Sequence, residues 1–448
     1  MAASSRRIPK GQNHLRQSDY WGPFVCLTGA CCVAMFAPMQ TDDRSQDELL
    51  IERGHGCWFT DSSGRELCNL SASALGVPLG YGSNIVRSAV LEAVETNVPS
   101  TSGCELEHDV CSRLGEILVN FKPLFYDRRA LFFPSSDHAL AAARWVALEH
   151  TSRDRIIYVT GGSHGRDYQH VSYGRQPMLT RGLGQDPCGG IYLPFPGAPN
   201  SAIDSTETFL AHIQDFLFKS VAHPFEIAAI IVPPVSFSES LLVLPDDFLP
   251  AVSKLCSQNG ILLIFDETSL GSGVLGTALA SGLWDFEPDI LCLGEPLANG
   301  FSFGATILPK SVLDFDLGFL AGPSRSQRIA CAVVRSILKQ SENTLVPAAK
   351  RIESYLHREL GRIEESHPLV EHVSGRGVLW SLSLQDRPAS DPRCLLLRDQ
   401  VAEVALDRGL FLAKTGMRSL VIAPPLTMSD AELEHGLHIL EEVLAELS

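Results

Sequence analysis

Five short runs of almost unbroken apolar residues constrain this chain more than any other feature. They lie at 130–133 (ALFF), 156–159 (IIYV), 227–232 (IAAIIV), 261–265 (ILLIF) and 290–293 (ILCL). A strand with one face in water alternates apolar and polar side chains, whereas a strand covered on both faces reads as continuous apolar sequence. Between the third and fourth runs, Phe248, Val252 and Leu255 recur at helical spacing, with Pro245 near the first turn and Asn259-Gly260 closing the pattern. This alternation predicts an α/β fold, a mainly parallel sheet flanked by helices, over residues 76–320.

The C-terminal part reads differently. Residues 345–365 predict a helix and 378–384 a strand of alternating character. A capping box from Ser429 to Glu432 opens a last helix that runs to about Leu447. Residues 321–448 therefore form a smaller α+β lobe, to which 51–75 contribute an N-terminal part. Residues 1–50 form an arm, flexible or targeting. Its apolar run 24–37 follows Arg6, Arg7, Lys10 and Arg16 and ends at Pro38. That run is too short for the ~20 residues of a membrane span, so a cytoplasmic protein is expected. Organelle targeting or membrane association through residues 1–38 is the alternative.

Asp and Glu number 52 against 36 Lys and Arg, a net charge of -16. An acidic surface repels phosphate backbones, which argues against nucleic acid as a partner. The 12 cysteines form no CxxC pair and no clustered ligand set, so neither a zinc site nor a disulfide framework is expected.

In open α/β sheets, ligands bind outside the carboxyl ends of the strands. After the ILLIF strand come Asp266, Glu267, Thr268, Ser269, Leu270 and Gly271. An acid there needs a partner because burying an unpaired carboxylate is costly. It serves either as counter-ion to a protonated ring nitrogen or as a helix or loop cap. The stretch 288–307, PDILCLGEPLANGFSFGATI, adds a second strand and a glycine-rich turn.

These segments together resemble class-III aminotransferases, enzymes of fold type I that depend on pyridoxal phosphate (PLP). The resemblance runs from about residue 50 to the end. It includes GCWFTDSSGRELCNLSASALGVPLGYG at 56–82, GGSHGRDY at 161–168, the helix and strand 241–267 before the DE pair, and LVIAPPL at 420–426. Dialkylglycine decarboxylase-like members are most similar in 241–267. The resemblance implies PLP as cofactor, Asp266 as partner of the pyridine nitrogen, and an active site built between two subunits, in a homodimer or a heterodimer with a related chain. It also places the cofactor phosphate near Ser135 and Ser136, and the ring near Ser163, His164, Gly165 and Ser269.

Several of those positions depart from the family pattern. Where the family carries its Schiff-base lysine, this chain has Glu295, 29 residues after Asp266. A carboxylate forms no imine. Lys310 lies past another apolar stretch. The phosphate turn reads Ser135-Ser136-Asp137-His138, in which the serines and a helix start suit an anion and Asp137 repels one. Ser163 replaces the stacking aromatic. Pro233-Pro234 replace a Glu-Pro, and Thr268 and Ser269 replace a Val and a Gln. A partner-donated Thr falls near Pro323, and the carboxylate-binding Arg near Val421.

Three readings stay open. The chain is a family member degenerate for ordinary PLP transamination, which binds another ligand or completes an active relative. Or it is an aminotransferase, decarboxylase or lyase that holds PLP non-covalently and uses Glu295 as general base on an amine or unusual amino acid, for example in a biosynthetic pathway. Or it is a working aminotransferase or decarboxylase whose lysine lies elsewhere.

Overall fold

A computed structural model describes residues 49–95, 113, 128–161, 190–198, 201–220, 223–237, 240–313, 328–385 and 396–448. The arm 1–48, including the apolar run 24–37, lies outside the described residues. So do Ser163, His164, Gly165 and Pro323.

Seven strands form the large sheet: β4 (Arg128–Phe133), β5 (Arg155–Val159), β6 (Ile191–Leu193), β7 (Ile227–Val232), β10 (Leu262–Glu267), β11 (Ile290–Leu293) and β12 (Gly304–Pro309). Their order is β4-β12-β11-β10-β7-β5-β6. All five apolar runs are strands of this sheet. Every residue of β7, β10 and β11 is buried, as their unbroken apolar sequence requires. Neighbours from β11 to β6 are parallel. β12 runs antiparallel to both β11 and β4, so the sheet is mainly but not wholly parallel.

Helix α1 covers Asn84–Glu95. Helix α2 (Ser136–Thr151) crosses β12, β11 and β7 on one face. Helix α3 (Phe248–Asn259) starts later than its sequence pattern suggested. Pro245 stands ahead of it rather than in its first turn, and its carbonyl accepts the Phe248 N–H at 3.1 Å. Gly260 ends the helix in the left-handed region, at φ 59°, where a residue without Cβ is unstrained.

The C-terminal sheet has the order β13-β14-β17-β16, from Val370–Arg376, Leu379–Leu384, Ser419–Ile422 and Ala413–Thr415. β14 is not alternating as its sequence implied, since five of its six residues are buried. Both of its faces are covered. Trp380 packs against His357 of helix α4 (Val346–Ser366), while Ser381 Oγ accepts the Leu241 N–H. The short strands β8 (Val235–Ser236) and β9 (Leu242–Val243) pair beside it. The last helix, α5 (Asp430–Leu447), opens with the Ser429–Glu432 capping box.

A third sheet joins the two ends of the chain. β1 (Ile51–His55), β2 (Trp58–Asp61) and β3 (Glu66–Asn69) are followed in it by β15 (Leu410–Phe411), parallel to β3. Among the described residues, no helix is long and apolar enough to cross a membrane.

Candidate active site

Four strand ends meet at one edge of the large sheet. β12 starts where β4 stops, Gly304 lying opposite Phe133, and β11 and β10 end beside them. Two glycines allow the backbones to close up. A Cβ on Gly294 would stand 2.2 Å from Thr268 O, and one on Gly304 would stand 2.0 Å from Ser135 O. These contacts draw the turn after β10, the turn after β11 and the start of α2 into one cluster.

Asp266 and Glu267 end β10, 3% and 1% exposed. Successive strand residues face opposite sides, and the two carboxylates find different partners. Asp266 Oδ1 accepts from Thr268 N at 3.1 Å and Thr268 Oγ1 at 2.6 Å. Thr268, read in sequence as a departure from the family pattern, thus supplies the hydroxyl that a buried carboxylate needs. Glu267 Oε2 accepts from Ala280 N at 2.8 Å and Oε1 from Ser281 N at 2.6 Å. Burial pushes its carboxyl up to about 7, against the pull of those hydrogen bonds. Of the two roles posed in the sequence, the cap is the one both acids fill here: Asp266 caps the loop at Thr268, and Glu267 caps the short helical turn Ala280–Leu283. Sequence reasoning missed the part played by Glu267, although two successive acids on an apolar strand must point to opposite faces.

Ser135 is the N-cap of α2. Its Oγ accepts the His138 N–H at 3.5 Å and pairs with His138 Nδ1 at 2.8 Å, so the hydroxyl expected to hold a phosphate is engaged in capping. The Ser136 N–H donates to Glu295 Oε1 at 3.0 Å. A backbone donor from one element and a side chain 159 residues away therefore meet at the position where the sequence suggested an anion. Glu295 is half-buried at the head of the turn Glu295–Ala298, with Pro296 behind it. Ser269 sits half-buried in the turn after Thr268.

Asn299 holds this turn in place and was not singled out by sequence. It adopts the left-handed region at φ 50°, accepts the Leu79 N–H at 2.8 Å and donates to Gly80 O at 3.2 Å. The Asn299-Gly300 pair was the available signal. Asn299→Ala loses both bonds and puts an unfavourable residue in that conformation. Expected is a loss of about 2 kcal/mol, read as a lower urea midpoint. Asn299→Gly, which relieves only the backbone, should recover part of it.

Other sequence candidates lie apart. Val421 is fully buried in β17, where its carbonyl accepts from Ser71 Oγ at 2.6 Å. Pro233 and Pro234 are buried after β7. Lys310 follows Pro309, which pairs with Arg128 at the start of β4, so it stands at the opposite end of the sheet, beyond a strand that spans ~17 Å from Gly304 to Pro309. Lys254, Lys339, Lys350 and Lys414 are exposed.

A sequence profile described as aminotransferase class-III matches residues 40–444. A 5-aminovalerate aminotransferase of Pseudomonas putida is 29% identical, over 89% of this chain and 94% of its own. A 4-aminobutyrate aminotransferase of Escherichia coli is 28% identical over the same shares. Among solved structures, a PLP-bound amine transaminase from an uncultivated Pseudomonas species superposes with TM-score 0.79 at 24% identity, covering 92% of this chain and 98% of that one. An omega-aminotransferase from Paracoccus denitrificans gives TM-score 0.80 at 19% identity, covering 92% and 96%. The fold is that of the fold-type-I transaminases.

Proposed function

The chain belongs to the class-III aminotransferases, and from that premise we propose that it is a member without ordinary PLP-dependent transamination. One observation carries the reading. Glu295 heads the turn after β11, beside the strand that bears Asp266, where the family pattern calls for its lysine. Its carboxylate can neither condense with an aldehyde nor relay a proton as a primary amine does.

The surrounding residues also fail to fit the cofactor. Ser135 Oγ is engaged by His138, and the Ser136 N–H already has a carboxylate. Asp137 adds negative charge in the first turn of α2. Asp266 remains, but a ring counter-ion alone holds nothing covalently.

The reading leaves the protein a role as a binding or partner subunit, for a small amine or amino acid or for a second chain. A homodimer or heterodimer is supported by a shallow apolar groove of Val77, Val86, Val90, Leu91 and Phe301 beside the Glu295 turn. Leu91 and Phe301 are 55% and 38% exposed there. The buried cysteines Cys57, Cys68, Cys256, Cys292 and Cys331 are free thiols, which supports a cytoplasmic, reducing location.

The test is to incubate the protein with PLP, dialyse, record the absorbance spectrum, reduce with borohydride and weigh the intact chain. No retained band and no added mass are expected. A phosphopyridoxyl increment on any lysine overturns the proposal. A visible but dialysable band without added mass would replace it by the non-covalent enzyme with Glu295 as base.

A further inference from the structure

Helix α2 begins at Ser136 and runs for 16 residues. The first N–H groups of such a helix have no acceptor within it and carry the positive end of its dipole. Two are accounted for: His138 N–H points to Ser135 Oγ, and Ser136 N–H to Glu295 Oε1 at 3.0 Å. The acid that accepts the second is held on several sides. Gly294 lies flat against Thr268 O, Pro296 fixes the backbone behind it, and Asn299 ties the turn to Leu79 and Gly80. Gly304, with no Cβ, lets the helix start lie close against β12 at Ser135 O. The occupant of this helix end is thus part of the chain, delivered by a braced turn.

We propose that Glu295 is a built-in anion that closes the start of helix α2 to phosphate monoesters. The proposal rests on the reading of Glu295 given above but concerns the phosphate end of a ligand, not its carbonyl end. A phosphate monoester carries about −1.5 to −2 charge at neutral pH. To reach the Ser136 N–H it must either displace the carboxylate or lie against it, and Asp137 in the same turn opposes it further. Ligands that bring a neutral or cationic group meet no such repulsion. The ligand class compatible with this helix start is therefore unphosphorylated, with an amine favoured over an acid.

Inorganic phosphate is the probe, with the full chain as wild type, Glu295→Ala and Glu295→Gln. Thermal midpoints are read against phosphate concentration, with chloride holding ionic strength constant, and binding is checked by calorimetry. Phosphate should leave the wild-type midpoint unmoved. Glu295→Ala should start lower, having lost a helix-terminal acceptor, and should be raised by phosphate, with affinity at least tenfold above wild type. Glu295→Gln keeps a neutral acceptor and so retains the fold if alanine does not. It should also bind phosphate more tightly than wild type, because the charge is gone. Adventitious phosphate sites are common to all three proteins and cancel in the comparison.

Wild type binding phosphate as tightly as the variants overturns the proposal, and so does the absence of phosphate binding in both variants. Neither outcome touches the borohydride result on wild type, which decides the earlier reading separately.

Discussion

Gly304→Ala is expected to lower the stability of this protein by about 3 kcal/mol or more. The added methyl would stand 2.0 Å from Ser135 O and 2.5 Å from Ser135 C. Both are backbone atoms, and they are fixed. Ser135 caps α2, and Gly304 is paired with Phe133 at the junction of β4 and β12. Relief requires the strand and the helix start to part, which also stretches the Ser136–Glu295 hydrogen bond. Urea midpoints for the variant and wild type measure the loss. Gly361→Ala is the control of opposite sign. It lies within helix α4, and nothing stands within 4 Å of its added methyl, so a gain of up to ~1 kcal/mol is expected from helix propensity. Similar midpoints for Gly304→Ala and wild type would show that the close approach does not exist.

Glu267 should make stability fall as pH rises through neutrality. Burial raises its carboxyl from an ordinary 4.5 to about 7, so the folded state binds a proton that the unfolded state has released. Its contribution is fully present below about pH 4.5 and is lost as pH climbs through about 7, a difference of about 3 kcal/mol. Glu267→Gln removes the titration. It also offers one acceptor to two N–H groups, from Ala280 and Ser281, and leaving one unpaired costs about 1–3 kcal/mol at every pH. The variant should therefore be the less stable protein at pH 5, with the gap closing or reversing by pH 8. Thermal midpoints of both proteins across that range test it, and parallel curves would refute it.

The sequence made the strands legible because burial on both faces leaves a strong local signal. The capping box of α5 is legible for the same reason, since Ser429 and Glu432 are three residues apart and act on each other. Direction is not local: the six residues of β12 are nearly as apolar as β10, and nothing in them says that the strand reverses. β14 misled because its serines looked solvent-facing, yet Ser381 accepts the Leu241 N–H and pairs with Ser374 of β13, and Ser383 pairs with Ser419 of β17. At the site, the sequence resemblance picked out Asp266, Ser136 and Glu295. It could not show that Ser136 and Glu295 bond to each other, because that contact depends on β12 lying between β4 and β11. Glu267 was passed over because a motif reading assigns one role to the acidic pair, where strand geometry demands two.

The pairing of β3 with β15 bears on how the chain is made. β3 ends at Asn69, and its neighbour in the sheet, beginning at Leu410, emerges about 340 residues later. At about 5–20 residues per second, a ribosome needs roughly 17–70 s to cover that distance. During that interval the inner edge of β3, which carries the buried Leu67 and Cys68, has no strand to receive it, while the large sheet completes itself from residues already made. The nascent chain therefore holds a finished domain and an unfinished edge at the same time. Its demand for chaperone cover should fall in that late window, and a message truncated before codon 410 should yield an aggregating product rather than a smaller folded one.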